Sequence, residues 1–190
     1  MGEWREVPFS EAVLINPPVR LKNGKSYPFV DMASIEPSSK LVSAKEERSF
    51  TGGGSRFQSG DTLMARITPC LENGKIGQFY SDNPFTTAHG STEFIVVRGR
   101  PNVSETEFAY YLTKWEYVRS YAISHMTGTS GRQRVPANVF DQLPVPLPSV
   151  KEQRAIASTL GSLDDKIDLN RRMNETLEAM ARAIFKDWFV

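Results

Sequence analysis

The stretch "PSVKEQRAIASTLGSLDDKI", Pro148 to Ile167, decides the architecture. Its "SVKE", Ser149 to Glu152, is a capping box, in which a Ser and the Glu three residues on satisfy each other's orphan backbone N–H groups. From there the chain reads as helix almost to Val190, roughly forty residues, or about 60 Å at 1.5 Å per residue. A compact domain of this size is narrower than that. Such a helix cannot be covered by its own domain, so it needs a partner.

The periodicity of the helix shows where the partner would sit. Alternating steps of four and three from Ile156 reach Leu160, Leu163, Ile167, Asn170, Asn174, Leu177, Ala181, Ile184 and Trp188. This is a heptad seam with two polar positions at its middle, the pattern of a coiled coil. Leu169, Met173 and Met180 widen the stripe, enough for more than one neighbour. Buried asparagines cost stability but fix register, because a mispaired amide goes unsatisfied. The alternative, that the stripe covers a flank of the preceding domain, fits the length poorly.

Upstream, the extended "PVPLP", Pro144 to Pro148, marks the boundary, since its prolines cannot continue a helix. Residues 1–148 then form one domain and 149–190 the helix. Up to about Gly99 the pattern is strand-like. In "DTLMARI", Leu63, Ala65 and Ile67 alternate with Thr62, Met64 and Arg66. "SYPFVDMASI", "KIGQFY" and "STEFIVVRG" are further β-rich runs, separated by "TGGGS", "ENGK" and "SDNPF". A second capping box, Ser104 to Glu107, starts an amphipathic helix predicted to run to about His125, with Phe108, Tyr111, Leu112, Trp115 and Val118 on its apolar face. Tyr111 and Trp115 are expected in the core. "MTGTSGRQR" reads as a flexible polar loop and "PANVFDQL" as a helical turn or two. The fold class is α+β: a mostly β domain with packed helices, followed by one long C-terminal helix.

Composition narrows the function. With 190 residues, 39 % hydrophobic and 24 % charged, the chain is an ordinary folded protein with room for one domain and an appendage. No apolar run approaches a membrane span, the N-terminus lacks an apolar secretion signal, and the single cysteine, Cys70, rules out an internal disulfide. An intracellular, cytoplasmic protein is expected. Net charge is only +1, but Leu14 to Val30 carries Arg20, Lys22 and Lys25 without an acid, and Thr127 to Asn138 carries Arg132 and Arg134 without one. Local basic loops on a neutral protein suit a small DNA-contacting face.

Catalysis is not written in the sequence. "NPPV", Asn16 to Val19, is similar to the N-P-P-aromatic motif of adenine amino-methyltransferases, but Val19 cannot stack on a flipped base. No glycine-rich cofactor loop precedes it, and Gly52 to Gly54 is not one. Cys70, His89 and His125 lack any nucleophile signature, and no metal-ligand spacing is present. No cofactor is therefore expected.

DNA contact is the better reading. Arg offers paired donors to guanine, and Asn or Gln offers a donor and an acceptor to adenine, while Lys, Arg, Ser and Thr hold phosphates. Two loops combine these types: one carries Arg66, Thr68, Asn73 and Lys75, the other Thr129, Ser130, Arg132, Gln133 and Arg134. Arg20, Lys22, Lys25 and Arg56 are read as solvated structural charges.

The helical region resembles the conserved helical region of type I restriction–modification specificity subunits. The P-x-x-x-E-Q-x-x-I opening stands at Pro148, Glu152, Gln153 and Ile156, the D-x-K-I step at Asp165, Lys166 and Ile167, and the F-K-x-W-F ending at Phe185, Lys186, Trp188 and Phe189. "GDTLMARITPCLENGKIG" is similar to a stretch of that family's target recognition domains. The resemblance implies a non-catalytic subunit whose β domain reads one half of a bipartite duplex target. It also implies that the helix pairs with an equivalent helix, spaces the half-sites, and docks methyltransferase subunits, the restriction subunit joining through the complex. With one recognition domain and one helix, the chain is either a half-subunit that pairs with a second copy or the N-terminal half of a longer subunit. The alternative function is a coiled-coil scaffold whose β domain binds protein or no longer binds DNA.

Overall fold

The computed structural model describes residues 4–129 and 131–189. The glycine and proline breaks cut the β-rich segment into short strands, which assemble into two facing sheets. The larger runs in the order β2 (Val13–Ile15), β10 (Phe94–Gly99), β7 (Thr62–Ala65), β8 (Ile76–Phe79), β4 (Leu41–Val42). Its pairs are antiparallel except β4 beside β8. The smaller runs β5 (Glu46–Ser49), β3 (Ser26–Val30), β9 (Thr87–Gly90), β6 (Ser55–Gln58), with β3 and β9 parallel. The proline-rich boundary is itself a strand: β11 (Pro144–Leu147) pairs antiparallel with β1 (Arg5–Pro8). A two-stranded ribbon has only edges, and there proline's missing donor is tolerated.

The larger sheet is buried on both faces. Val30, Phe57 and Ala88 of the smaller sheet pack on Leu63, Phe79, Phe94 and Val96. On the other face, Met64, Ile76, Ile95 and Val97 meet Phe9 of α1 (Phe9–Ala12), Phe108 and Tyr110 of α2 (Thr106–Lys114), and Val118 of α3 (Glu116–Ser124). This corrects the alternating reading of "DTLMARI". Leu63 and Met64 do enter different cores, but every residue of β7 is buried because the strand is central in a covered sheet.

The helix predicted from the second capping box is displaced and broken. Ser104 Oγ accepts from Arg100 N–H instead, so Glu105 becomes the cap and accepts from Phe108 N–H at 2.9 Å. At Trp115, φ −56° and ψ 131° are extended rather than helical, and the chain re-enters helix as α3. The break turns Trp115 outward, 44 % exposed beside Tyr117, against the core position expected for it. Tyr111 is half-buried, and its hydroxyl donates to Asp164 of the long helix at 2.8 Å. "PANVFDQL" supplies the expected short turn, a 3-10 helix over Ala137–Asp141.

That long helix, α4 (Val150–Phe189), runs unbroken for 40 residues. Its capping box forms as predicted: Glu152 accepts from Ser149 N–H and Oγ–H, and Ser149 Oγ accepts from Glu152 N–H. Only its base is embedded. Gln153 is fully buried, its amide donating to Val103 and Pro148 carbonyls at 2.9 Å while its oxygen accepts from Glu105 N–H at 2.8 Å. Ala157 joins the core, Ile156 and Leu160 are half-buried, and every residue from Arg172 to Phe189 is exposed. No helix among the described residues is long and apolar enough to cross a membrane.

Candidate nucleic-acid interface

The two loops chosen from sequence meet in space. The 127–134 segment is closed at its base by paired backbone bonds between Thr127 and Arg134, 2.9 and 2.8 Å, rather than hanging free. It is stitched to the end of β7: Thr68 N–H donates to the Gln133 carbonyl, Gln133 N–H to Thr68 Oγ1, and Val135 N–H to the Arg66 carbonyl. Arg66, Thr68, Gln133 and Arg134 thus share one edge. Thr129 and Arg132 are exposed at the loop's outer part, and Ser130 lies outside the described residues.

Electrostatics divide this group. Arg134 is not free: its guanidinium grips Glu93 with bonds of 2.7 to 3.0 Å. The Arg134 hydrogen bond holds the Glu93 carboxyl below its ordinary range. Arg132, by contrast, has no hydrogen bond or ion pair to its guanidinium among the described residues. The other arm of the first loop turns away. Lys75 Nζ donates to the Met32 carbonyl at 2.9 Å, and exposed Asn73 neighbours Glu72, whose carbonyl accepts from Arg119 of α3.

Arg66 also opens onto a feature that sequence reading missed. A cleft of about 560 Å³ is lined by Arg20, Arg56 and Arg66, by the "NPPV" segment, and by Gly54, Ser55 and Thr92. No carboxylate among the described residues lines it. Arg66 Nε is buried with no hydrogen-bond acceptor among the described residues. Arg56 sits 4.9 Å over the Phe50 ring and donates to the Gly52 carbonyl. Gly54, at φ +83°, comes so near the neighbouring strand that a Cβ there would stand 2.3 Å from the Gly90 carbonyl oxygen, so only glycine closes this wall. Arg20 and Arg56, expected to be merely solvated, therefore converge with Arg66 from three separate segments. Only the acid-free run around Arg20 hinted at it. Lys22 and Lys25 stay outside, exposed, with Lys25 over the Tyr27 ring.

The catalytic look-alikes resolve into packing. Asn16 Oδ1 accepts from Val96 N–H at 3.0 Å, and Asn16 N–H donates to the Val96 carbonyl, so the asparagine continues the sheet edge. Val19 is buried. His89 is buried between Phe29 and Phe50 with Nε2 3.1 Å from the Arg48 carbonyl. His125 stacks on Tyr121 at the end of α3, and Cys70 packs against the core.

A cleft of arginines beside an exposed polar loop can hold a phosphate backbone and reach base edges. Residues 16–179 match the family model described as the type I restriction modification DNA specificity domain. The chain is 32 % identical over 168 residues to the type I restriction enzyme EcoEI specificity subunit of Escherichia coli, covering 84 % of this chain and 27 % of that protein. It is 33 % identical over 137 residues to the HindI specificity subunit of Haemophilus influenzae, 70 % of this chain and 28 % of the relative. The chain thus spans under a third of the curated relatives it matches. Among solved structures, the HsdS subunit from Thermoanaerobacter tengcongensis superposes with a TM-score of 0.66 at 22 % identity, covering 97 % of this chain and 48 % of that one.

Proposed function

The chain belongs to the family of type I restriction–modification DNA specificity domains, and from that premise we propose that it is a non-catalytic DNA-recognition module reading one half of a bipartite duplex target. The observation that carries this is the convergence of Arg20, Arg56 and Arg66 in a cleft that no carboxylate of the described residues lines, beside the edge where Arg66 and Thr68 meet the 127–134 loop. The cleft arginines hold phosphates and set the register. Exposed Arg132, and half-buried Gln133 on the edge shared with Thr68, have the donor and acceptor chemistry for base edges.

Residues 1–148 are the reader and 149–190 the spacer. In this reading α4 pairs antiparallel with an equivalent helix, from a second copy or a second half of a longer subunit. Antiparallel pairing sends the two readers to opposite ends, where they reach separated half-sites. Ile156, Leu160, Leu163, Ile167, Asn170, Asn174, Leu177, Ile184 and Trp188 form the seam, and methyltransferase subunits dock along the pair, the restriction subunit joining through the complex. The work is done in the cytoplasm, where the DNA is. The test is a gel shift of the chain on random-sequence duplexes, with and without the methyltransferase subunit. Salt-sensitive binding, strengthened by the subunit, is expected. No shift under either condition would leave the chain a scaffold.

A further inference from the structure

An apolar groove of about 400 Å³ lies at the base of α4, lined by Trp4, Leu112, Trp115, Pro146, Ile156 and Leu160 among others. Two of its walls are tryptophans left 50 % and 44 % exposed, Trp4 and Trp115. At the other end of the same helix stands the chain's most exposed aromatic cluster, Phe185, Trp188 and Phe189 at 61, 74 and 70 %. Exposed apolar patches of this kind mark interaction sites. The two are far apart along one helix, yet one symmetry operation brings them together.

The seam is a palindrome about Arg172. If Asn170 of one helix faces Asn174 of an antiparallel copy, Ile167 faces Leu177, Leu163 faces Ala181, Leu160 faces Ile184, and Ile156 faces Trp188. The arms from Asn170 back to Ile156 and from Asn174 on to Trp188 are each fourteen residues, about 21 Å. A twofold axis makes any such contact occur twice. The floor of the groove is itself the first stretch of the seam, because Ile156 and Leu160 belong to both.

We propose that the groove is the socket for the aromatic C-terminal turn of a second copy of this chain, with Trp188 of that copy seated between Trp115 and Ile156. The proposal rests on the antiparallel pairing argued above and adds that the recognition domain itself, not only its helix, holds the partner helix. Each reader is then fixed in orientation relative to the spacer by its partner's end, which a bare coiled coil does not achieve.

The experiment is sedimentation equilibrium of the full chain in a double-mutant cycle. Trp115→Glu changes an exposed side chain that is off the seam, and Trp188→Ala changes an exposed side chain at the far end of the helix. Circular dichroism confirms that each variant is folded. Each is expected to weaken self-association about tenfold or more, as for a buried aromatic anchor, and the double variant to lose much less than the product of the two. Leu163→Glu, on the seam alone, reports the coiled coil separately. If Leu163→Glu abolishes pairing while Trp115→Glu leaves it unchanged, the socket is wrong and the coiled coil stands. Independent, multiplicative effects of Trp115→Glu and Trp188→Ala overturn the contact between them. A wild-type chain that stays monomeric throughout overturns both.

Discussion

Replacing Gln153 by Leu removes the lock between α4 and the recognition domain. The side chain is fully buried and makes three bonds, to Val103 and Pro148 carbonyls and from Glu105 N–H. Leucine is of similar volume, so packing is nearly kept while three backbone groups lose their partner. A buried polar group left unsatisfied costs about 1–3 kcal/mol, so a loss of about 3 kcal/mol is expected for the set. With a urea slope of about 2 kcal/mol/M, the unfolding midpoint should fall by about 1.5 M at unchanged slope. Hydrogen exchange should quicken first at the Glu105 amide. A midpoint shift below about 0.5 M, under about 1 kcal/mol by the same slope, would mean that water or rearrangement supplies the missing bonds and that the lock is not there.

At the interface, Arg66→Ala and Arg132→Ala should differ in kind. Losing a phosphate-holding Arg66 weakens all duplexes alike, while losing a base-reading Arg132 costs about 1–3 kcal/mol and relaxes preference at one position, which competition binding distinguishes. Glu93→Gln should tighten DNA binding modestly at low salt by releasing Arg134 from its grip, read as a steeper salt dependence. Hydrogen bonds from Ser149 hold the Glu152 carboxyl below its ordinary value. A depressed folded pKa gives stabilisation present above the unfolded carboxylate range and lost as pH falls through the folded value. An acid titration should therefore fray the start of α4 as the pH falls below the ordinary carboxylate range, and Glu152→Gln should flatten that dependence.

What the sequence made legible was local. The capping box at Ser149 forms because both partners lie within one turn, and the forty-residue helix follows from uninterrupted periodicity. The same motif at Ser104 shifted by a residue because Arg100 N–H captures the serine and Gln153, 48 positions away, captures Glu105 N–H. Gln153 stood in the motif that carried the family resemblance, yet its role as a lock depends on partners no local pattern reveals. Trp115 fits an apolar helical face and was expected inside, but the break at its own ψ turns it out. Likewise the proposed DNA face is half legible. Arg66 and the 127–134 loop stand out by residue type, whereas Arg20, in the loop after β2, and Arg56, on β6, reach the same cleft only through the tertiary fold. Non-local pairing of this kind leaves no periodic trace in the chain.

The central claim, that this module reads one half-site through its basic edge, is tested most directly by selecting bound duplexes from a random library with the methyltransferase subunit present. Enrichment of a short asymmetric sequence is expected, with Arg132→Ala relaxing one of its positions. Recovery of duplexes with no shared sequence, or a motif untouched by Arg132→Ala and Arg66→Ala alike, would contradict it.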